Sequence, residues 1–172
     1  MSLPAKLHLL KAKAAAERGR VAQAQGDPDA ALYFFAHSLE WAETIPARLG
    51  QAQAFSYEGK LDHAIAECKK AIDIDPTQGQ AYNDIGVYLM QQGLDAEAET
   101  WLQLAIVAAT MEGRHFPYYN LGRIYERRQA LSQAVVAYEA ALREQTDFES
   151  ALGALERVRR KLQQSVSNEP EK

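Results

Sequence analysis

The sequence predicts an all-α chain in which short helix-turn-helix units stack on one another, and three observations predict it. Strand signals are missing: there is no sustained alternation of β-branched and polar residues and no Asn-Gly or Asp-Gly dipeptide. Ala, Leu, Gln, Glu and Arg dominate, with apolar residues three and four apart, as in Ala64, Cys68, Ala71, Ile72 and again in Ala134, Tyr138, Ala141, Leu142. Breakers interrupt this pattern at Gly26-Asp27-Pro28, Gly59, Asp75-Pro76, Gly93, Glu112-Gly113-Arg114 and Gln129 to Ser132. Each helix is thereby held to about a dozen to fifteen residues, near the usual mean.

The breakers are themselves periodic. Turns at Gly26, Gly59, Gly93 and Gln129 lie 33, 34 and 36 residues apart. Seven residues before each stands a small residue (Gly19, Ala52, Gly86, Gly122), and five after it an Ala (Ala31, Ala64, Ala98, Ala134). Nine after it comes Phe35, Cys68, Leu102 or Tyr138, and twelve after it Ser38, Ala71, Ala105 or Ala141. Small residues in mid-helix let two antiparallel helices approach closely, and the larger residue fills the space beside them. Such a unit cannot bury its apolar face alone, so neighbouring copies must cover it.

In chain order the units fall at about 12–44, 45–78, 79–112 and 115–148. The third and fourth are expected to be joined by a longer link, because Gly113-Arg114 adds two residues. Residues 149–164 place Leu152, Leu155, Val158 and Leu162 on one face and Arg157, Arg159, Arg160 and Lys161 on the other, which reads as a capping helix. Residues 1–164 are thus expected to form one domain, and 165–172 a disordered tail.

The residues resemble a known family, the tetratricopeptide repeat. Tyr82-x-x-Ile85-Gly86-x-x-Leu89 followed by Gly93, Ala98, Leu102 and Ala105 is similar to its pattern, as is Tyr118-x-x-Leu121-Gly122-x-x-Tyr125 with Ala134, Tyr138 and Ala141. The second unit keeps Gly59, Ala64, Ala71 and Asp75-Pro76, but has Arg48 where an aromatic is usual and Ala52 for Gly. The first keeps Gly19, Gly26, Ala31 and Phe35. The closing Pro present at Pro76 is replaced by Thr110 and Thr146, so the second helix of the third unit is free to run on past Thr110. The resemblance implies an α-α superhelix whose first helices line a concave, peptide-binding groove.

Composition narrows the function. The chain has 172 residues, 47% of them hydrophobic and 24% charged, which is globular rather than disordered composition. A net charge of −4 argues against general nucleic-acid binding, and the one cysteine, Cys68, fits a reducing compartment. No apolar stretch approaches a membrane span, and the N-terminal residues lack a secretion signal's apolar run and cleavage site. A cytoplasmic protein without membrane insertion is expected. The four His, at 8, 37, 63 and 115, sit in four segments with no metal-ligand spacing, and no phosphate-binding or nucleophile motif occurs. Cys68 occupies a core column and reads as structural. These observations point to a non-enzymatic protein with no cofactor and no metal.

By helical spacing, the first-helix ridge comprises Gln53, Ser56 and Tyr57, then Asn83, Asp84, Val87 and Gln91, then Phe116, Tyr119, Asn120, Arg123 and Arg127. Arg157 and Arg160 of the cap follow. Asn both donates to and accepts from peptide backbone, Tyr gives contact area at low entropic cost, and Arg grips carboxylates in a bidentate way. Tyr57, Asn83, Asp84, Val87, Tyr119, Asn120, Arg123, Arg127 and Arg157 are therefore the candidate peptide-binding residues. An acidic or carboxylate-bearing partner segment against Arg123 and Arg127 is expected. The two-carboxylate clamp of chaperone adaptors fits poorly. Asn120 matches its central Asn, but Asn83 and Val87 stand where Lys and Asn are expected, and Ser150 and Ala154 where Lys and Arg are expected.

Charge is unevenly spread: residues 1–25 carry +4, 26–112 carry −10, 113–161 carry +3 and 162–172 carry −1. An acidic, solvated convex face accounts for this, and so does self-contact of a basic end with an acidic middle. The sequence therefore reads as a protein-interaction module. Its alternative is a self-associating assembly scaffold or an accessory subunit of a larger complex.

Overall fold

A computed structural model describes residues 2–167, and within them the chain forms an all-α repeat solenoid of α1 (Leu3–Ala24), α2 (Pro28–Trp41), α3 (Ile45–Tyr57), α4 (Leu61–Ile74), α5 (Gly79–Gln91), α6 (Asp95–Val107), α7 (His115–Arg127), α8 (Leu131–Glu144) and α9 (Glu149–Ser167). Starts and stops follow local chemistry. The Ser2 and Asp27 side chains accept from the amides of Ala5 and Ala30, and Pro lies in the first turn of α1, α2 and α3.

The four periodic turns share one geometry. Gly26, Gly59, Gly93 and Gln129 all have positive φ, at 75°, 74°, 80° and 60°. In the last of them the Gln129 amide donates to the Glu126 carbonyl (3.1 Å) and the Ala130 amide to the Tyr125 carbonyl (2.9 Å), and the same pair of bonds closes the other three. This is a Schellman termination, which demands a left-handed residue just past the helix.

The spacing columns meet in space. A Cβ added to Gly19 or Gly86 would lie 2.8 Å from Phe35 or 2.7 Å from Leu102, and one on Gly122 would strike Tyr138. Phe35, Cys68, Leu102 and Tyr138 are fully buried. Phe35 is also covered from the next unit by Gly50, where a Cβ would collide with its ring. Buried side chains form three clusters spread along the chain, so each unit's core is completed by its neighbours.

Three expectations about boundaries are corrected. α1 begins at Leu3, well ahead of the first expected unit at 12. α6 does not run past Thr110 but stops at Val107. Residues 109 and beyond are drawn onto the previous joint instead. The Thr110 amide donates to the Thr77 carbonyl (3.1 Å), the Gly79 amide to the Thr110 carbonyl (3.2 Å), and the Thr110 hydroxyl to the Thr77 carbonyl (2.6 Å). Cross-joint pairing thus ends α6 where a Pro was missing. At the other end α9 continues to Ser167, so 165–167, expected to be tail, are helical; the rest of that expected tail, 168–172, lies outside the described residues.

Candidate functional site

The concave face is built from α1, α3, α5, α7 and the outer part of α9. α1 packs on α3 and α5 on α7, whereas α3 and α5 meet less closely. Between them opens a groove of about 540 Å³. Tyr57, Asp84 and Val87 line it, together with amide side chains such as Gln53, Gln80 and Gln91. Tyr57 is 67% exposed and its hydroxyl receives a long hydrogen bond from Gln53 (3.5 Å). Asp84 is half-buried, and desolvation pushes its carboxyl up to about 6 even though Asn83 and Gln80 both donate to it.

A second pocket of about 410 Å³ lies at the C-terminal end, lined by Tyr119, Arg123, Glu126, Arg127, Gln129, Arg157 and Lys161. Glu126 is its one carboxylate. It accepts two bonds from Arg157 (2.9 Å each), one from Lys161 (2.8 Å) and one from the Tyr138 hydroxyl (3.1 Å). The Arg157 guanidinium above all, with Lys161 and Tyr138, holds the Glu126 carboxyl down to about 2 against the opposing cost of burial. Arg127 reaches back to the preceding unit, donating to Asp95 and to the Met90 carbonyl (3.4 Å). Arg123 differs. It stands over the Tyr119 ring and donates to Asn120 (3.3 Å), and among the described residues no carboxylate pairs with it.

The expected ridge is therefore divided. Tyr57, Asp84 and Val87 share one groove, and Tyr119, Arg123, Arg127 and Arg157 share the other. Asn83 and Asn120, expected on the exposed ridge, are buried at 5% and 6% exposure. The physical reason is mutual: Asn120 donates to Asn83 (3.2 Å) across the contact between α5 and α7, so each satisfies the other away from water. The chaperone-type clamp is weakened further, since Ala154, at a position where it needs a cation, is 2% exposed.

Reading the ridge by spacing misses Gln80, Glu126, Gln129 and Lys161. Two of them carried a signal: Gln129 is the single non-glycine in the column of turn glycines, and Lys161 shares the basic face of the capping helix with Arg157. Cys68 is fully buried and burial pushes its thiol far up, as a structural cysteine requires. No helix of the described residues is long and apolar enough to cross a membrane.

Paired antiparallel helices with a small residue against a large one, closed by a left-handed turn, define a helical-repeat protein of the kind that works through protein contacts. The family model for the tetratricopeptide repeat matches residues 45–78 and 117–148, so these two segments of the chain are tetratricopeptide repeats. A curated relative, small glutamine-rich tetratricopeptide repeat-containing protein 2 of Mycosarcoma maydis, is 33% identical over 96 residues, which is 55% of this chain and 27% of that protein. The chain thus matches about a quarter of that relative's length. Among solved structures, pilF of Pseudomonas aeruginosa superposes with a TM-score of 0.84 at 22% identity, covering 92% of this chain and 72% of that one. The first repeat domain of Spaghetti (RPAP3), bound to the HSP90 peptide SRMEEVD, gives 0.62 at 21% identity over 69% and 92% of the two chains. At these identities the likeness to solved structures is one of fold.

Proposed function

We propose that the concave face binds an extended segment of a partner protein, with a carboxylate of that segment seated against Arg123 in the C-terminal pocket. The carrying observation is the pocket's lining, in which Arg123, Arg127, Arg157 and Lys161 surround one carboxylate, Glu126. Arg157, Lys161 and Arg127 are already engaged within the chain, so Arg123 is the cation left to offer a bidentate contact. The structural neighbour bound to SRMEEVD supports the reading, since a repeat array of this fold holds an acidic peptide.

The test is affinity capture from native extract with wild-type protein and Arg123→Glu, followed by measuring the affinity of the captured segment for both. Arg123 is the informative position because its replacement leaves the Arg127–Asp95 contact intact. A loss of roughly tenfold or more is expected for a charge-assisted contact. Equal affinity for the two proteins rules out this pocket.

A second reading, self-association, is favoured by the exposed Leu3, Leu7 and Leu10 on one side of α1, beside Lys6, Lys11 and Lys13. Sedimentation at low and high salt decides it. A monomer at every salt concentration removes it.

A further inference from the structure

The N-terminal groove holds a carboxylate that none of the described residues neutralises. Asp84 receives hydrogen bonds from the neutral amides of Gln80 (2.6 Å) and Asn83 (3.3 Å), and its other close ionisable neighbours, Cys68 and Tyr88, are a thiol and a phenol driven still further toward their neutral forms by Asp84 itself. Among the described residues no Lys, Arg or His pairs with it. The other charge on the groove wall is Arg20, which is exposed and already paired with Glu17. A desolvated carboxylate without a counter-ion costs stability, and a groove that keeps one is complementary to a cation brought from outside.

Asp84 is also tied geometrically to the acid-binding end. Asn83 donates to Asp84, Asn120 to Asn83 and Arg123 to Asn120, at 3.3, 3.2 and 3.3 Å. These three bonds and the two amide groups between them place the Asp84 carboxyl and the Arg123 guanidinium no more than roughly 14 Å apart, a span that about four residues of extended chain cover. The intervening asparagines are buried, so a bound segment would lie over them rather than displace them.

We infer that the bound segment is dipolar: a Lys or Arg side chain enters the N-terminal groove and pairs with Asp84, three or four residues away from the carboxylate that meets Arg123. This rests on the reading of the concave face as a peptide site and adds a second requirement to it. The groove suits a long basic side chain, because Val87, Tyr88 and Leu49 can cover its methylenes while the cation reaches Asp84.

The test uses the full chain and a bead-bound library of random octapeptides with free C-terminal carboxylates. Enriched sequences are expected to carry Lys or Arg three or four residues from an acidic residue or the C-terminus. Synthesised members should bind Asp84→Asn at least tenfold more weakly than wild type. Asp84→Asn keeps the oxygen that accepts from Gln80 and Asn83, and a thermal melt verifies its fold. Replacing the peptide's Lys by norleucine should cause the same loss on unaltered protein, so the result does not depend on the variant. Enriched peptides that lose affinity on Arg123→Ala but neither need a basic residue nor distinguish Asp84→Asn overturn the basic subsite and leave the carboxylate reading standing. Peptides indifferent to both variants, or no enrichment at all, overturn both.

Discussion

Gln129 is the position where the repeat pattern and the backbone disagree most sharply. The other three turns of its type use Gly26, Gly59 and Gly93, whereas Gln129 holds φ 60° with a full side chain. A left-handed residue other than Gly, Asn or Asp costs about 1–2 kcal/mol, and glycine returns roughly 0.5–1 kcal/mol of that through the greater freedom of its unfolded chain. Gln129→Gly is therefore expected to stabilise the protein by about 0.5–1 kcal/mol. The reciprocal change, Gly93→Gln, should cost about as much, because nothing lies within 4 Å of a Cβ there and only the backbone conformation is at stake. Urea unfolding followed by circular dichroism reads both. With a slope of about 2 kcal/mol/M the midpoints should move by roughly 0.3–0.5 M in opposite directions, the slope itself unchanged. If Gln129→Gly leaves the midpoint unmoved or lowers it, the strain argument fails. Gln129 also lines the C-terminal pocket. A variant that is more stable yet binds its partner segment less well would identify the strain as kept for the side chain.

The remaining predictions concern burial and charge. Arg48→Ala should cost about 2–3 kcal/mol in the same assay, because the Arg48 guanidinium (14% exposed) bonds Glu67 (10% exposed) at 2.7 Å and its loss leaves a buried carboxylate held only by Lys70; Glu43→Ala, at the exposed end of the same network, should cost less than about 1 kcal/mol. Gly50→Ala should cost about 2–3 kcal/mol by pushing the Phe35 ring aside, whereas Gly153→Ala, with open space around it on α9, should gain about 0.5–1 kcal/mol. Stability against pH should carry two signatures of opposite sign. Glu126, lowered from 4.5 to about 2, adds stability that is present at neutral pH and lost as pH falls through that window, about 1 kcal/mol once the exposure of Arg157 is discounted, and Glu126→Gln should flatten this segment. Asp84, raised from 3.8 to about 6, acts in reverse: its favourable share is complete below 3.8 and gone above 6, so Asp84→Asn should be more stable than wild type at pH 7–8 and no more stable at pH 4.

The turns, the helix pairs and the packing columns were legible in the sequence because each is a local constraint repeated several times. A left-handed turn, a small residue seven before it and a large one nine after it leave the same trace in every unit. What escaped were contacts between residues distant in sequence with no recurring signature. Asn83 and Asn120 look like ordinary ridge residues, yet they are 37 positions apart and bond to each other. Arg48 stands out as an oddity at an aromatic position, but nothing nearby announces that Glu67, 19 residues on, will turn inward to meet it. The end of α6 escaped for the same reason, since Thr110 is held by Thr77 across the joint rather than by a local breaker.

Part of the uneven charge has a physical explanation within the chain. Asp95 and Glu99 of α6 receive Arg127 of α7 and Arg128 just after it, and Tyr125 adds a bond to Glu99 (2.8 Å). One unit later Glu126 receives Arg157 and Lys161 of α9. These three acids each meet a base one unit further on, so part of the acid-then-base order is the trace of clasps that set adjacent units in register. These pairs are partly exposed and individually worth about 1 kcal/mol or less, but because they all act across repeat boundaries their screening by salt falls on the joints rather than on the units. Arg127, Arg128, Arg157, Arg159 and Lys161 of the C-terminal basic segment are thus engaged within the chain, whereas Lys6 and Lys13 of α1 are not engaged in ion pairs among the described residues. A self-association that draws on the N-terminal basic end would run through α1. Neutralising Lys6 and Lys13 should abolish a salt-sensitive dimer if one forms, while removing Arg159 should not.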